Sequence, residues 1–170
     1  MRVAQSTPTA SKMAAYRQLH DQMGALFAGE RNGLANAANT SALLYETLPD
    51  LNWVGFYFLQ ERELALGPFQ GKVACVRIRL GQGVCGTAAE RRETIVVPDV
   101  HAFPGHIACD AASRSEIVVP LIQHGRLLGV LDVDSPQLAR FDHEDRTGLI
   151  AAVDLLLLHS DFARIVDAVA

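Results

Sequence analysis

The chain has 170 residues, of which 49% are hydrophobic and 20% are charged, and its formal net charge is −4 at pH 7. This length suits one globular domain with a sizeable core, and we expect a single domain over residues 1–170. No basic stretch exceeds Arg91 and Arg92, and Asp154 breaks the apolar run of the last predicted helix, so neither a nucleic-acid nor a membrane partner is expected.

In chain order, the opening stretch MRVAQSTPTASK lacks the apolar segment of a signal peptide, so a cytoplasmic location is expected. Apolar residues then recur at three- and four-residue steps over residues 8–29, which predicts an amphipathic helix. A second helix is predicted over about residues 34–48, because Pro49 ends it.

The pattern then changes from helix to strand. The stretch LNWVGFYFL at 51–59 is rich in aromatic residues, and strand alternation places Trp53, Gly55 and Tyr57 on one face. Trp53 and Tyr57 form either an ordinary core stripe or one wall of a small pocket. Such a wall suits a ligand that carries a cation or a soft sulfur group.

The rest of the chain predicts further strands and helices, which follow in chain order. Strands are predicted at 63–69 and 73–80, followed by a short helix at about 84–92 and a strand in TIVVPDV. A loop at 98–115 leads to a hairpin in IVVPLIQHGRLLGVLDVDS, which turns at His124 and Gly125. The last helix is capped by Asp142 and ends near His159. Because hairpins join most strands, we expect an α+β fold with an antiparallel sheet of about six strands. The terminal helices would cover one face, and inserted loops would form a pocket on the other.

Three cysteines offer the most reactive side chains. Because cytosolic thiols are kept reduced, a disulfide in this chain is expected to be transient and catalytic rather than structural. Cys75, in the middle of a predicted strand, is typical of a buried core thiol. Cys85 lies at the start of a short helix, and it is either a structural thiol or one whose pKa the helix N-terminus lowers. Cys109 lies in a polar loop and is either an inert thiol or a nucleophile.

A zinc site is the alternative use of these thiols, with Cys75, Cys85, Cys109, His101 and His106 as the candidate ligands. Structural zinc sites usually place two cysteines, or a histidine and a cysteine, a few residues apart, and only His106 and Cys109 form such a pair. We therefore expect no metal.

Three carboxyl groups flank the predicted hairpin. Asp132 and Asp134 share a strand face, and Glu116 lies near the open end of the same hairpin. They form either a solvated strand end or a cluster that binds an ammonium group and keeps one carboxyl protonated as an acid. A strict two-residue turn places Glu116 opposite Val133, on the wrong face. The cluster therefore needs a different turn or a bulge, which Pro120 would mark.

Several motifs together resemble one known family. LLGVLDVDS and RFDHEDRTGL are similar to GAF domains, which mostly bind small ligands. NWVGFYFL, GKVACVRIRLGQGVCGTAA, DVHAFPGHIACDAASRSEIVVPL and GVLDVDS more specifically resemble the free methionine-(R)-sulfoxide reductases, which are stand-alone GAF enzymes. The likeness covers about residues 12–160, with cysteines ten and then twenty-four residues apart. Arg79 departs from the family pattern, in which proline is expected at this position.

The resemblance implies a role for each candidate residue. Cys109 would be the nucleophile, and Cys75 and Cys85 would resolve its oxidised form. The remaining positions would bind substrate or supply the proton: Glu116, Asp132 and Asp134 around the sulfoxide and amino group, and Trp53 and Tyr57 as the aromatic wall.

The resemblance also implies a reaction without metal, flavin or nucleotide. Cys109 would attack free L-methionine-(R)-sulfoxide, with Glu116 or Asp134 as the acid, and become a sulfenic acid. A disulfide with Cys75 or Cys85 would follow, and thioredoxin would reduce it. The same GAF resemblance leads us to expect a homodimer paired through the terminal helices.

Two other hypotheses use the same residues differently. The chain could be a non-enzymatic GAF module that senses a small ligand or an oxidant, although sensor domains are usually joined to an output domain. It could also be a zinc-stabilised interaction module. The role of His106, and which cysteine resolves first, stay open.

Overall fold

A computed structural model describes residues 11–107 and 109–166 of the chain. In chain order its elements are α1 (Lys12–Leu26), α2 (Gly33–Thr47), β1 (Trp53–Gln60), β2 (Glu63–Gly71), β3 (Arg77–Arg79), α3 (Gly83–Arg91), β4 (Ile95–Val97), a 3-10 turn (Val100–Ala102), β5 (Ser115–Gln123), β6 (Arg126–Ser135), α4 (His143–His159) and α5 (Ala163–Val166).

The described strands form one six-stranded sheet in the order β3-β2-β1-β6-β5-β4, and every neighbouring pair is antiparallel. α1, α2 and α4 pack on one side, over an apolar core that includes Leu19, Phe56 and Leu131. α3 and the loops lie on the other side, over a second core that includes Tyr57 and Val130. The predicted α+β fold, with terminal helices on one face, is confirmed.

Helix boundaries follow local capping chemistry. α1 begins where the Ser11 side chain accepts a hydrogen bond from the N–H of Ala14. α4 begins at a capping box in which Asp142 and Asp145 each accept from the other's backbone N–H. The predicted cap at Asp142 and the predicted end at His159 are both confirmed.

None of the helices in residues 11–107 and 109–166 is long and apolar enough to cross a membrane.

The predicted first helix is longer than the observed one. α1 ends at Leu26, and residues 27–29 form a turn that ends at Gly29, whose φ of +80° favours glycine. Residues 8–10 of the predicted helix lie outside the described residues.

The predicted strand at 73–80 is wrong for its first half. β3 covers only Arg77–Arg79, which pair with Glu63 to Ala65 of β2. Residues 72–76 instead form an irregular segment that crosses the sheet face, so Cys75 is a half-buried loop residue and not a mid-strand core thiol.

The β5–β6 hairpin contains the bulge on which the carboxyl cluster depends. Gln123 pairs with Arg126 across a two-residue turn, as predicted, but the register shifts beyond Ile122 and leaves Leu128 without an opposite residue. Pro120 is paired regularly with Val130, so the bulge lies beside the predicted position and on the other strand.

Candidate active site

The bulge brings the three carboxyl groups to one face of the sheet. Glu116 pairs directly with Asp134, and Asp132 lies two residues further along the same face. All three side chains line one pocket on the α3 side of the sheet. This register answers the question that the sequence left open, because a hairpin without the extra residue would turn Glu116 toward the helices.

Burial dominates the electrostatics of this cluster. Loss of solvent, followed by repulsion from Asp132 and then Asp134, raises the pKa of Glu116 well above its ordinary value. Burial also raises the pKa of Asp134, and it raises the pKa of Asp132 to about 6. Burial and the repulsion between these neighbouring carboxyl groups therefore favour the protonated form of Glu116.

One oxygen of this cluster has no partner. Asp132 is buried, and its Oδ1 makes no hydrogen bond to any described residue. An unpartnered buried carboxylate oxygen is costly unless a ligand donates to it. The pocket therefore offers an acceptor to a positively charged or hydrogen-bonding ligand.

Trp53 and Tyr57 form the aromatic wall that strand alternation predicts. Their rings stack with centroids 5.9 Å apart, and the indole also stacks on Phe69 at 5.4 Å. The indole folds back across Gly55, where a Cβ would lie 2.5 Å from it, so the residue between the two aromatics must be glycine.

The same two aromatics also hold the irregular segment that carries Cys75. Trp53 Nε1 donates to the carbonyl of Lys72 at 3.0 Å, and the Tyr57 hydroxyl donates to the carbonyl of Cys75 at 3.1 Å. The strand face thus fixes the backbone of residues 72–75 over the pocket.

Cys75 and Cys109 are joined by a disulfide, with their Cα atoms 5.6 Å apart. Cys109 lines the pocket beside the three acids, as do its neighbours His106, Ile107 and Asp110. Two thiols separated by 34 residues therefore meet at one site.

Cys85 differs from the other two thiols. It is buried near the start of α3, and its Sγ lies 3.9 Å from Glu116 Oε1. Burial, followed by the charges of Asp132 and Glu116, raises the pKa of this thiol well above its usual value. The expectation that the helix N-terminus favours the thiolate is wrong, because loss of water and two carboxyl neighbours outweigh the helix dipole.

Sequence reasoning missed the side chains that anchor the loop of Cys109. Asn52 Nδ2 donates to Asp110 Oδ2 at 3.1 Å and to Ser113 Oγ at 2.9 Å. Ser113 in turn lines the pocket together with Asp134. A local pattern gives no signal for this link, since Asn52 and Ser113 are 61 residues apart in the chain.

Among the described residues, the five candidate zinc ligands do not come together as one group of ligand atoms. Cys75 and Cys109 are bonded to each other, and the group with ligand atoms within 4.8 Å is Cys85, Glu116 and Asp132. Burial raises the pKa of the Cys85 thiol and of the Glu116 carboxyl group, and a protonated group is a poor metal ligand. We therefore interpret Cys85 and Glu116 as proton-holding groups.

His106 contacts His101, and their ring centroids lie 6.3 Å apart at a right-angled orientation. Burial lowers the pKa of His106, which also lines the pocket. The histidine is therefore neutral near pH 7 and adds no positive charge beside Cys109.

Comparison with known proteins points to one group of relatives. Residues 13–157 match the model of the GAF domain. The chain is 52% identical over 163 residues to a free methionine-R-sulfoxide reductase of Escherichia coli, covering 94% of this chain and 99% of that protein.

Solved structures give the same grouping. A free methionine-R-sulfoxide reductase from Neisseria meningitidis, solved in complex with its substrate, is 44% identical with a TM-score of 0.85, over 94% of this chain and 95% of that one. A protein from Burkholderia vietnamiensis, described as a proposed GAF sensor, is 60% identical with a TM-score of 0.86, over 89% and 96% of the two chains.

Proposed function

Since the chain belongs to the free methionine-(R)-sulfoxide reductases, a family of GAF-domain proteins, we propose that it reduces free L-methionine-(R)-sulfoxide to L-methionine. The observation that carries this proposal is the meeting of a thiol pair, Cys75 and Cys109, with a buried carboxyl cluster in one pocket. We assign the activity to a single domain over residues 1–170 in the cytoplasm.

The first step consumes the sulfoxide. The thiolate of Cys109 attacks the sulfoxide sulfur, and a neutral carboxyl group of Glu116 or Asp134 donates its proton to the sulfoxide oxygen. The resulting hydroxyl group then moves to the Cys109 sulfur as the bonds from the substrate sulfur to oxygen and to Cys109 break. The substrate sulfur gains two electrons and leaves as the thioether of methionine. Cys109 loses two electrons and keeps the oxygen as a sulfenic acid.

Protonation is the difficult part of this step, because oxygen is a poor leaving group until it carries a proton. Burial supports the role of the acids, since it keeps a carboxyl protonated at a pH where an exposed one is ionised. Glu116 is the stronger of the two candidates because it is buried, whereas Asp134 is half-buried.

The second step closes a disulfide. The thiol of Cys75 attacks the sulfenic sulfur of Cys109, and water leaves with the oxygen and two protons. The distance of 5.6 Å between the two Cα atoms supports Cys75 as the resolving residue. Cys85 is buried against Glu116, so we propose that it supports the acid cluster and does not resolve.

Substrate selection follows from charge and shape. The unpartnered Oδ1 of Asp132 would accept a hydrogen bond from the substrate ammonium group. Trp53 and Tyr57 would pack against the methyl sulfoxide end. Backbone N–H groups of the loop at 98–109 would bind the substrate carboxylate. A methionine sulfoxide within a peptide has neither terminal charge, so the pocket would reject it.

Recycling needs an external dithiol. A thioredoxin would exchange its dithiol for the disulfide and return both cysteines to the reduced state. No metal, flavin or nucleotide takes part in the proposed cycle. The homodimer paired through the terminal helices stays a prediction.

The epimers of the substrate provide the test of this function. Given an equal mixture of free R and S methionine sulfoxides with dithiothreitol, the protein is expected to consume the R epimer and to leave the S epimer. Chiral chromatography measures both, and N-acetylated and peptide-bound sulfoxides serve as controls. Equal consumption of both epimers, or consumption of neither, would overturn the proposal, and the second result would favour the sensor hypothesis.

A further inference from the structure

The two sulfurs of the disulfide lie in different surroundings. Cys109 lines the pocket together with Glu116 and Asp134, whereas Cys75 is absent from the pocket lining, although its neighbours Val73 and Ala74 belong to that lining. Both cysteines are half-buried, so Cys75 differs from Cys109 in that it lies outside the lining that also contains the carboxyl groups.

The surface around Cys75 is unusually apolar for an exposed segment. Val73 and Val76 are 87% and 66% exposed. β-branched apolar side chains at such exposure, on both sides of a reactive cysteine, are typical of a contact surface and not of a solvated loop. We name the side chains of Lys72, Val73, Val76 and Arg77 around Cys75 the reductant face.

The backbone of the reductant face is fixed in place before any partner binds. The Tyr57 hydroxyl holds the carbonyl of Cys75, and the carbonyl of Val76 accepts a hydrogen bond from the N–H of Leu66 in β2. A preorganised surface loses little entropy when a partner covers it.

Charge also separates the two sulfurs. Residues 72–79 contain one lysine and two arginines and no acid. Lys72 is mostly exposed, with Nζ 3.6 Å from Asp110 Oδ1. Cys109, in contrast, is followed directly by Asp110, and a backbone hydrogen bond from Ala112 lowers the pKa of that carboxyl group. An attacking thiolate is an anion, so it is favoured at Cys75 and disfavoured at Cys109.

We propose that a protein dithiol of the thioredoxin type docks on the reductant face and attacks the sulfur of Cys75. This inference rests on the proposed function and adds the docking surface and the order of exchange. The partner thiolate bonds to the sulfur of Cys75, the S–S bond breaks, and Cys109 leaves as a thiolate. The partner's second thiolate then attacks its own bonded sulfur, Cys75 leaves as a thiolate, and two electrons pass from the partner to this protein.

Val76→Asp tests the docking surface. Val76 is exposed and lies outside the pocket lining, so the variant keeps the disulfide and the substrate site intact. With a thioredoxin, its reductase and NADPH, we expect the KM for thioredoxin to rise about tenfold, because an acid replaces an apolar contact. With dithiothreitol as the reductant, we expect the rate of the wild-type protein.

Leu158→Asp is the matched control, since Leu158 is 70% exposed on α4, which packs against the other face of the sheet. We expect it to leave the KM for thioredoxin unchanged. An unchanged KM in Val76→Asp would overturn the docking surface, and so would an equal rise in Leu158→Asp or the failure of thioredoxin to support turnover. If the wild-type protein shows no turnover with dithiothreitol, the proposed function itself is contradicted.

A trapping experiment tests the order of exchange. A thioredoxin variant whose second active-site cysteine is serine is mixed with the oxidised protein, and the mixed disulfide is mapped by peptide mass spectrometry. We expect the partner on Cys75 and a free thiol at Cys109. A mixed disulfide on Cys109 would overturn the assignment.

Discussion

Cys109→Ser is expected to lower turnover of free methionine sulfoxide by at least about 10³-fold, to the background of the assay. A serine hydroxyl is neither ionised at neutral pH nor able to take the sulfoxide oxygen to a stable oxidised form. Because Cys109 lies in a loop at the pocket mouth, the substitution should leave the fold intact. The measurement is NADPH consumption with thioredoxin, its reductase and the free sulfoxide.

Cys75→Ser provides the matched contrast to this variant. It keeps the nucleophile and loses the resolving thiol, so it should release one equivalent of methionine per protein and then stop without reductant. A sulfenic acid at Cys109 should be detectable by a dimedone-type probe. Substantial turnover in Cys109→Ser would remove that cysteine from the role of nucleophile.

Glu116→Gln is expected to lower kcat by about 10²-fold or more, the usual contribution of a positioned acid. Glutamine keeps the size of the side chain, but its amide group has no acidic proton to give to the sulfoxide oxygen. Glu90→Gln, at an exposed position on α3, is the matched control and should keep the wild-type rate.

The dependence of kcat on pH separates this role from a structural one. Because burial raises the pKa of Glu116, the wild-type rate should fall as pH rises through that raised pKa and the proton is lost. The alkaline fall should be missing in Glu116→Gln. A variant that keeps both the wild-type rate and the alkaline fall would show that another group supplies the proton.

Stability should change in the opposite direction from activity. A carboxyl group whose pKa is raised by folding contributes stability at low pH, and that contribution is lost as pH rises through the folded-state pKa. Glu116→Gln removes this group, so its melting temperature at alkaline pH should equal or exceed that of the wild-type protein. Loss of activity can therefore be separated from loss of fold.

Strand alternation predicted part of this site correctly from the sequence. The shared face of Trp53 and Tyr57, and that of Asp132 and Asp134, follow from a period of two, which is a local property of any strand. The helix cap at Asp142 was predictable for the same reason, since a cap forms with residues two and three positions away.

Other parts of the site depend on contacts that no local pattern encodes. The residues of 73–80 predict a strand, but a strand needs a partner. Within this stretch, only Arg77–Arg79 pair with β2. The face of Glu116 depends on a bulge on the opposite strand, at Leu128. The fall expected for the pKa of Cys85 became a rise because tertiary burial decides the environment of a thiol more strongly than its place on a helix.

A single turnover without reductant tests the central claim most directly. The protein is reduced, freed of reductant and mixed with excess free L-methionine-(R)-sulfoxide, after which methionine is quantified and the cysteines are mapped by mass spectrometry. We predict one methionine per protein, a disulfide between Cys75 and Cys109, and Cys85 as a free thiol. A disulfide that includes Cys85, or methionine formed while all three thiols remain reduced, would contradict the account.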